Sequence, residues 1–149
     1  MTGVDDLDRK ILSELGVDGR RPVVWLARKL RVPRATVQER LRRLFDSGVL
    51  RRVVAVPDHA QLGLGVTAYI LAAFGPSEAR TQREVAEEIA RLPGVFEVSL
   101  ISGEWDILLK VRASSVEAVG ELVVDRLRLI RGIERTQTCL SFSSVKESP

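Results

Sequence analysis

Residues 32–48 read VPRATVQERLRRLFDSG. Val37, Leu41, Leu44 and Phe45 recur in it at helical spacing and leave one stripe to bury. The same segment carries four arginines against one glutamate and one aspartate. A helix that had only to stay soluble would interleave acids with bases at i,i+4. Here the balancing negative charge is expected from outside the helix.

The neighbouring segments give this helix its setting. Upstream, VVWLARKLR (23–31) reads as a short helix with Val23, Leu26, Ala27 and Leu30 inward. Before it, DDLDRKILSEL (5–15) puts Leu7, Ile11, Leu12 and Leu15 on one stripe, with acids in the first turn where the helix dipole favours them. GVDGRRP breaks the chain between the two, and a tight Val32-Pro33 turn leads into the third helix, which Gly48 closes. VLRRVVAVP (49–57) is rich in β-branched residues and predicts a strand or hairpin arm. Three helices followed by a basic β-arm describe a winged helix-turn-helix.

After Pro57 the period changes. VTAYILAAFG (66–75) predicts a strand and TQREVAEEIARLPG (81–94) an amphipathic helix stopped by Pro-Gly. VFEVSLISG (95–103) and WDILLKVRA (105–113) predict two strands joined at Gly103-Glu104, SVEAVGELVVDRLRLIRG (115–132) a helix, and IERTQTCLSFSSVK (133–146) a last strand. The order βαββαβ is that of the ferredoxin-like plait, so the class is α+β. The predicted organisation is a DNA-binding unit at 1–56, a linker at 57–65 (PDHAQLGLG) and a plait at 66–149.

Charge follows the same division. Residues 1–56 hold 13 Lys/Arg against 7 Asp/Glu, and residues 57–149 hold 10 against 13. Within 20–56 the count is 11 against 2, which suits a module that meets a polyanion. No apolar run is long enough to span a bilayer, and MTGVDDLDRK has acids where a signal peptide would have bases. A cytoplasmic protein is the expectation. The single cysteine, Cys139, excludes a disulfide framework and a cysteine-based metal cluster. No nucleophile–base signature, phosphate-binding glycine loop or metal-ligand cluster is present, so no catalytic residue, metal or cofactor is predicted.

Three stretches, in order and at matching separations, resemble the Lrp/AsnC (feast/famine) regulators. They are ERLRRLFDSGVL (39–50), SGEWDILLKV (102–111) and GIERTQT (132–138). The resemblance covers nearly the whole chain from LDRKILSEL onward. It implies a dimeric DNA-binding transcription regulator whose plait, the RAM-type domain, assembles dimers and often rings of dimers. It also implies an amino acid or related metabolite bound between plait domains, which alters assembly or DNA affinity. On this basis the effector site comprises Leu100, Ser102, Gly103, Asp106, Thr138, Cys139, Leu140 and Ser141. One departure is Val32, where the family commonly has a serine able to cap the recognition helix. A capping box from Thr36 to Glu39 would start that helix later.

The N-terminal residues of a recognition helix meet base edges, and those further along meet phosphates. Arg34, Thr36, Gln38 and Glu39 are therefore the candidates for base readout, with Ala35 on the same exposed face. Arg42 and Arg43, with Arg51 and Arg52 on the arm, are candidates for phosphate contact. Arg28, Lys29 and Arg31 lie where they can approach the DNA backbone. Two residues keep alternatives: Glu39 either meets a base or pairs with Arg43, and Arg40 either faces DNA or forms a structural salt bridge. Double-stranded DNA, read as an inverted repeat by a two-fold dimer, is the predicted partner.

At the turn, Gly103 permits positive φ and turns backbone N–H groups outward, which suits a carboxylate. Asp106 then binds an ammonium group or caps the hairpin locally. Trp105 lines the pocket or packs between subunits. The rival classes are an enzyme resembling the sirohaem decarboxylases, which share this two-domain architecture, and an assembly module without a DNA partner. The chain has one histidine, His59, in the linker, and the arginine face has no role in decarboxylation.

Overall fold

The computed structural model describes residues 3–75 and 80–146. Contacts divide it into two compact units, one ending at Val56 and the other beginning at Pro57.

The first unit has three helices, α1 (Asp6–Val17), α2 (Val23–Leu30) and α3 (Arg34–Asp46). At the start of α1 the Asp5 carboxylate accepts from Asp8 N–H at 3.0 Å, while the Asp8 carboxylate accepts from Asp5 N–H at 3.1 Å. This reciprocal pair satisfies N–H groups the helix cannot bond itself. Ile11, Leu26, Ala27, Val37 and Leu44 form the core, ringed by Leu7, Leu12, Leu15, Val23, Leu30, Val32, Leu41 and Leu50. Beyond α3, Gly48 adopts φ +72°, and Leu50 N–H reaches back to the Leu44 carbonyl at 2.9 Å, closing the helix with a left-handed residue.

Three sequence expectations differ here. The Thr36–Glu39 capping box does not form: α3 begins at Arg34 with no side-chain cap. Pro33 is preset near helical φ and needs no donor, and Thr36 N–H already bonds to the Pro33 carbonyl at 3.0 Å, inside the helix. Val32 packs against the core instead of capping. Phe45, placed on the buried stripe by its spacing, is 45% exposed. It lies 100° from Leu44, and the small core closes over Leu44 and Val37. The wing is absent as a strand. Apart from Leu50, which packs against the core, residues 49–57 are exposed, and none of them pairs in a ladder.

The second unit contains β1 (Val66–Phe74), α4 (Gln82–Ile89), β2 (Val95–Leu100), β3 (Ile107–Ala113), α5 (Val116–Glu121) and β4 (Ile133–Ser141). The sheet order is β2-β3-β1-β4 and every neighbouring pair is antiparallel. This is the ferredoxin-like plait. The period-two alternation sends Ala68, Ile70, Ala72, Ile107, Leu109 and Val111 to one face, against Val85, Ala86 and Ile89 of α4 and Val119, Leu122, Val123 and Leu127. The opposite face bears Tyr69, Leu71, Leu108, Gln137 and Cys139, and no helix covers it among the described residues. The helix read at 115–132 is not continuous: after α5 the chain widens into a π turn (Leu122–Arg126) and tightens into a 3-10 turn (Leu127–Leu129).

Within the stretch expected to be the linker, residues 58–64 form a turn. The N–H groups of Leu62 and Leu64 both bond to the His59 carbonyl, at 3.2 and 2.8 Å. The His59 ring sits edge-on to Phe96 of β2, with centroids 4.8 Å apart.

Candidate functional site

On α3, Arg34, Ala35, Gln38, Glu39, Arg42 and Asp46 are exposed and Thr36 is half-buried. The candidates for base readout therefore share an accessible side at the start of the helix. Glu39 pairs with Arg42, not Arg43: Nη2 lies 2.8 Å from Oε1 and Nε 3.2 Å from Oε2. That bidentate pair holds the Glu39 carboxyl below the usual range. Arg51 and Arg52 are exposed on the arm, as are Arg28, Lys29 and Arg31 at α2. Among the described residues, Arg28, Arg34, Arg51 and Arg52 make no ion pair, which leaves their charge for a partner.

Arg40 and Arg43 face the other way. Arg43 Nη2 lies 2.5 Å from Asp8 Oδ2. Arg40 Nη1 reaches Asp8 Oδ1 at 3.4 Å and also pairs with Asp5. The structural reading of Arg40 holds, and Arg43, expected at a phosphate, pairs with Asp8 while its side chain stays 36% exposed. The reason is Asp8, which is fully buried and charged, and so must be paired. Asp8 is the buried carboxylate that the sequence reading missed. Its signal was its position, on the stripe it shares with Ile11, Leu12 and Leu15 at i+3, i+4 and i+7, where an apolar residue belongs.

The effector turn has the predicted backbone, with Gly103 at φ +126°. Asp106 acts locally: its Oδ2 accepts from Phe74 N–H at 2.8 Å, and its carbonyl accepts from Ile101 N–H and Gln82 Nε2, both at 2.9 Å. It fastens the end of β1 to the turn. The Arg135 guanidinium lies 4.3 Å over the Trp105 ring and pairs with Glu104 at 3.2 Å, so Trp105 is engaged with β4.

The eight residues expected at the effector site divide between two parts of the sheet. Leu100 ends β2 and Ser102, Gly103 and Asp106 lie in the β2–β3 turn, whereas Thr138, Cys139, Leu140 and Ser141 lie on edge strand β4, whose Arg135 reaches the turn. Register divides them further. Thr138 and Leu140 oppose Ile70 and Ala68 on the helix side, while Cys139 and Ser141 oppose Tyr69 and Thr67 on the open side. Ser141 borders an open-side hollow of about 140 Å³ with Thr67, Tyr69, Lys110 and Arg112.

A three-helix unit with an arginine-rich third helix, followed by a ferredoxin-like plait, defines a two-domain DNA-binding regulator. Residues 4–44 match the AsnC-type helix-turn-helix domain and residues 67–149 the Lrp/AsnC ligand binding domain. The chain belongs to the Lrp/AsnC family of transcriptional regulators. It is 49% identical to an uncharacterised HTH-type transcriptional regulator of Pyrococcus abyssi, over 97% of this chain and 96% of that one. It is 30% identical to the HTH-type transcriptional regulator FL11 of Pyrococcus horikoshii, over 97% and 93%. Among solved structures, a transcriptional regulator from Neisseria meningitidis in complex with L-Met superposes with a TM-score of 0.92 at 25% identity, over 98% and 94% of the two chains. LrpC of B. subtilis gives 0.84 at 28%, over 97% and 99%. No helix among the described residues is long and apolar enough to cross a membrane.

Proposed function

We propose that two copies of this chain bind an inverted-repeat duplex, each with α3 in a major groove. Arg34, Ala35, Thr36, Gln38 and Glu39 face base edges: Arg can grip guanine, Gln adenine, and Glu can accept from cytosine. Arg42, Arg51 and Arg52 take phosphates. The observation that carries this reading is the set of exposed arginines without intramolecular partners, on a segment with 11 basic residues against 2 acidic. Self-association as a dimer, and closure of dimers into rings, is supported by the uncovered sheet face and by the arm at 51–56, which is exposed and pairs in no ladder. As a regulator it works where the DNA is, in the cytoplasm, and it carries out no catalysis.

The effector is an amino acid held between copies. Two observations support this. The turn and Thr138–Ser141 belong to separate elements, and β4 is an edge strand, where a second copy can complete the site. The similar N. meningitidis regulator was solved with L-Met.

The test is selection of bound duplexes from a random pool at two salt concentrations, with and without L-methionine. An inverted repeat, with half-sites about 10 base pairs or a multiple apart and affinity falling steeply with salt, is the expected result. Recovery of no motif would reject sequence-specific binding. An unchanged affinity and assembly state on addition of each common amino acid would reject the effector.

A further inference from the structure

Among the described residues Asp8 is the one charged residue whose side chain is fully buried, and its hydrogen bonds go to the recognition helix and its own cap. Oδ2 accepts from Asp5 N–H at 3.1 Å and from Arg43 Nη2 at 2.5 Å, and Oδ1 accepts from Arg40 Nη1 at 3.4 Å. Arg40 also holds Asp5. Two guanidinium groups from consecutive turns of α3 thus converge on the first turn of α1, across 32 and 35 residues of chain.

Apolar contacts around Val37 and Leu44 hold α3 against the unit, but burial is non-directional and tolerates a change of helix rotation. Hydrogen-bonded ion pairs do not. A slip of one residue is about 100° around the axis, which would carry both guanidinium groups off the carboxylate and leave a buried charge unpaired. Rotation is also what decides which side chains of α3 face a base edge.

We propose that Asp8 is the positioning residue of the recognition helix: through Arg40 and Arg43 it fixes the rotation of α3, and with it which of Arg34, Ala35, Gln38 and Glu39 meets the bases. Arg43 acts through Asp8 and adds no phosphate contact. This rests on the DNA-binding reading above.

The test uses the full chain, the tightest duplex selected from a random pool by the unaltered protein, and a scrambled duplex of the same composition. Affinity for both is measured across a salt series, in which each neutralised phosphate contributes about 0.9 to the slope of log K against log salt. Arg43→Gln is expected to leave that slope unchanged and the scrambled duplex as tightly bound. Its affinity for the selected duplex should fall about tenfold, the scale of one base contact. Asp8→Asn should lose the same preference with a slope no lower than that of the unaltered chain, and the double variant should be no worse than either single one. Arg51→Gln is the contrast, expected to lower the slope by about 0.9 and weaken both duplexes alike.

A reduced slope in Arg43→Gln, with both duplexes weakened equally, would overturn the proposal and return Arg43 to the phosphates. Retained preference in a folded Arg43→Gln protein would overturn it as well. If Asp8→Asn does not fold by far-UV circular dichroism, the Arg43→Gln comparison alone decides. An unaltered chain with neither preference nor salt dependence would sink the DNA-binding reading itself, and this proposal with it.

Discussion

Leu44→Ala should unfold the DNA-binding unit while leaving the plait intact. Leu44 is 2% exposed and is one of five buried side chains, with Ile11, Leu26, Ala27 and Val37, that form the core of the first unit. Truncating a buried leucine to alanine costs about 2–5 kcal/mol, because the apolar contacts are lost and the cavity collapses only in part. A unit of this size has a total stability of about 3–8 kcal/mol, so the substitution removes from about a quarter of it to all of it. The second core, from Ala68 to Ile130, shares no residue with the first. Scanning calorimetry of the full chain is therefore expected to show the low-temperature transition moving down by about 10 °C or more, with the other in place and DNA affinity lost. Ile70→Ala, at a fully buried position in the sheet, should move the second transition instead. If both variants shifted one common transition equally, or if Leu44→Ala bound DNA normally, separate cores would be the wrong account.

Further perturbations test other parts of the structure. Gly132 adopts φ +103°, and a Cβ there would lie 2.8 Å from the Phe74 ring and 3.1 Å from Val85 Cγ2. Gly132→Ala is expected to destabilise the plait by about 2 kcal/mol or more in urea titrations, and a cost below about 0.5 kcal/mol would contradict the clash. Arg31 ends α2 in the left-handed region at φ 56°, ψ 44°. Arg31→Val should cost about 1–2 kcal/mol while Arg31→Gly is neutral or stabilising, and the reverse ranking in urea midpoints would refute the strain. The Asp8 backbone N–H, followed by the Arg40 guanidinium, holds the Asp5 carboxyl below the ordinary aspartate value. A depressed folded-state value gives stability that is present above about pH 3.9 and lost as pH falls through the folded value. The urea midpoint of the unaltered chain should therefore fall in acid, with a shallower fall in Asp5→Asn. An identical acid limb in both proteins would remove Asp5 from the account.

Much of this architecture is local, and local features are legible in a sequence. The 3.6-residue stripes gave Ile11, Leu26, Val37 and Leu44 as inward positions, and the strand patterns in 66–75 and 105–113 marked two strands of the sheet. Gly48 and Gly103 marked a helix end and a turn because only glycine takes positive φ freely, and both adopt it. The exposed side of α3, from Arg34 to Arg42, was likewise visible from spacing. The misreadings share one cause, a local pattern whose outcome depends on a partner remote in sequence. The β-branched run at 49–57 predicts a strand by propensity, yet a strand requires a neighbouring backbone. The pairing of Arg43 with Asp8 was illegible for the same reason, since the two lie 35 residues apart.

The sequence by itself therefore determined the two units, their element order, the α+β class and the charge asymmetry that points to DNA, because each depends on side-chain period or composition along a short window. Only the tertiary structure decided which arginines remain for a partner and which are used inside the fold. It alone also showed that the turn at Gly103 joins β2 to β3 while Thr138–Ser141 lie on edge strand β4. Both outcomes are set by packing and strand pairing between segments distant in the chain. There, burying the one carboxylate of Asp8 fixes two charges on another helix, and the order of strands leaves β4 at an edge, where a second copy can complete the site.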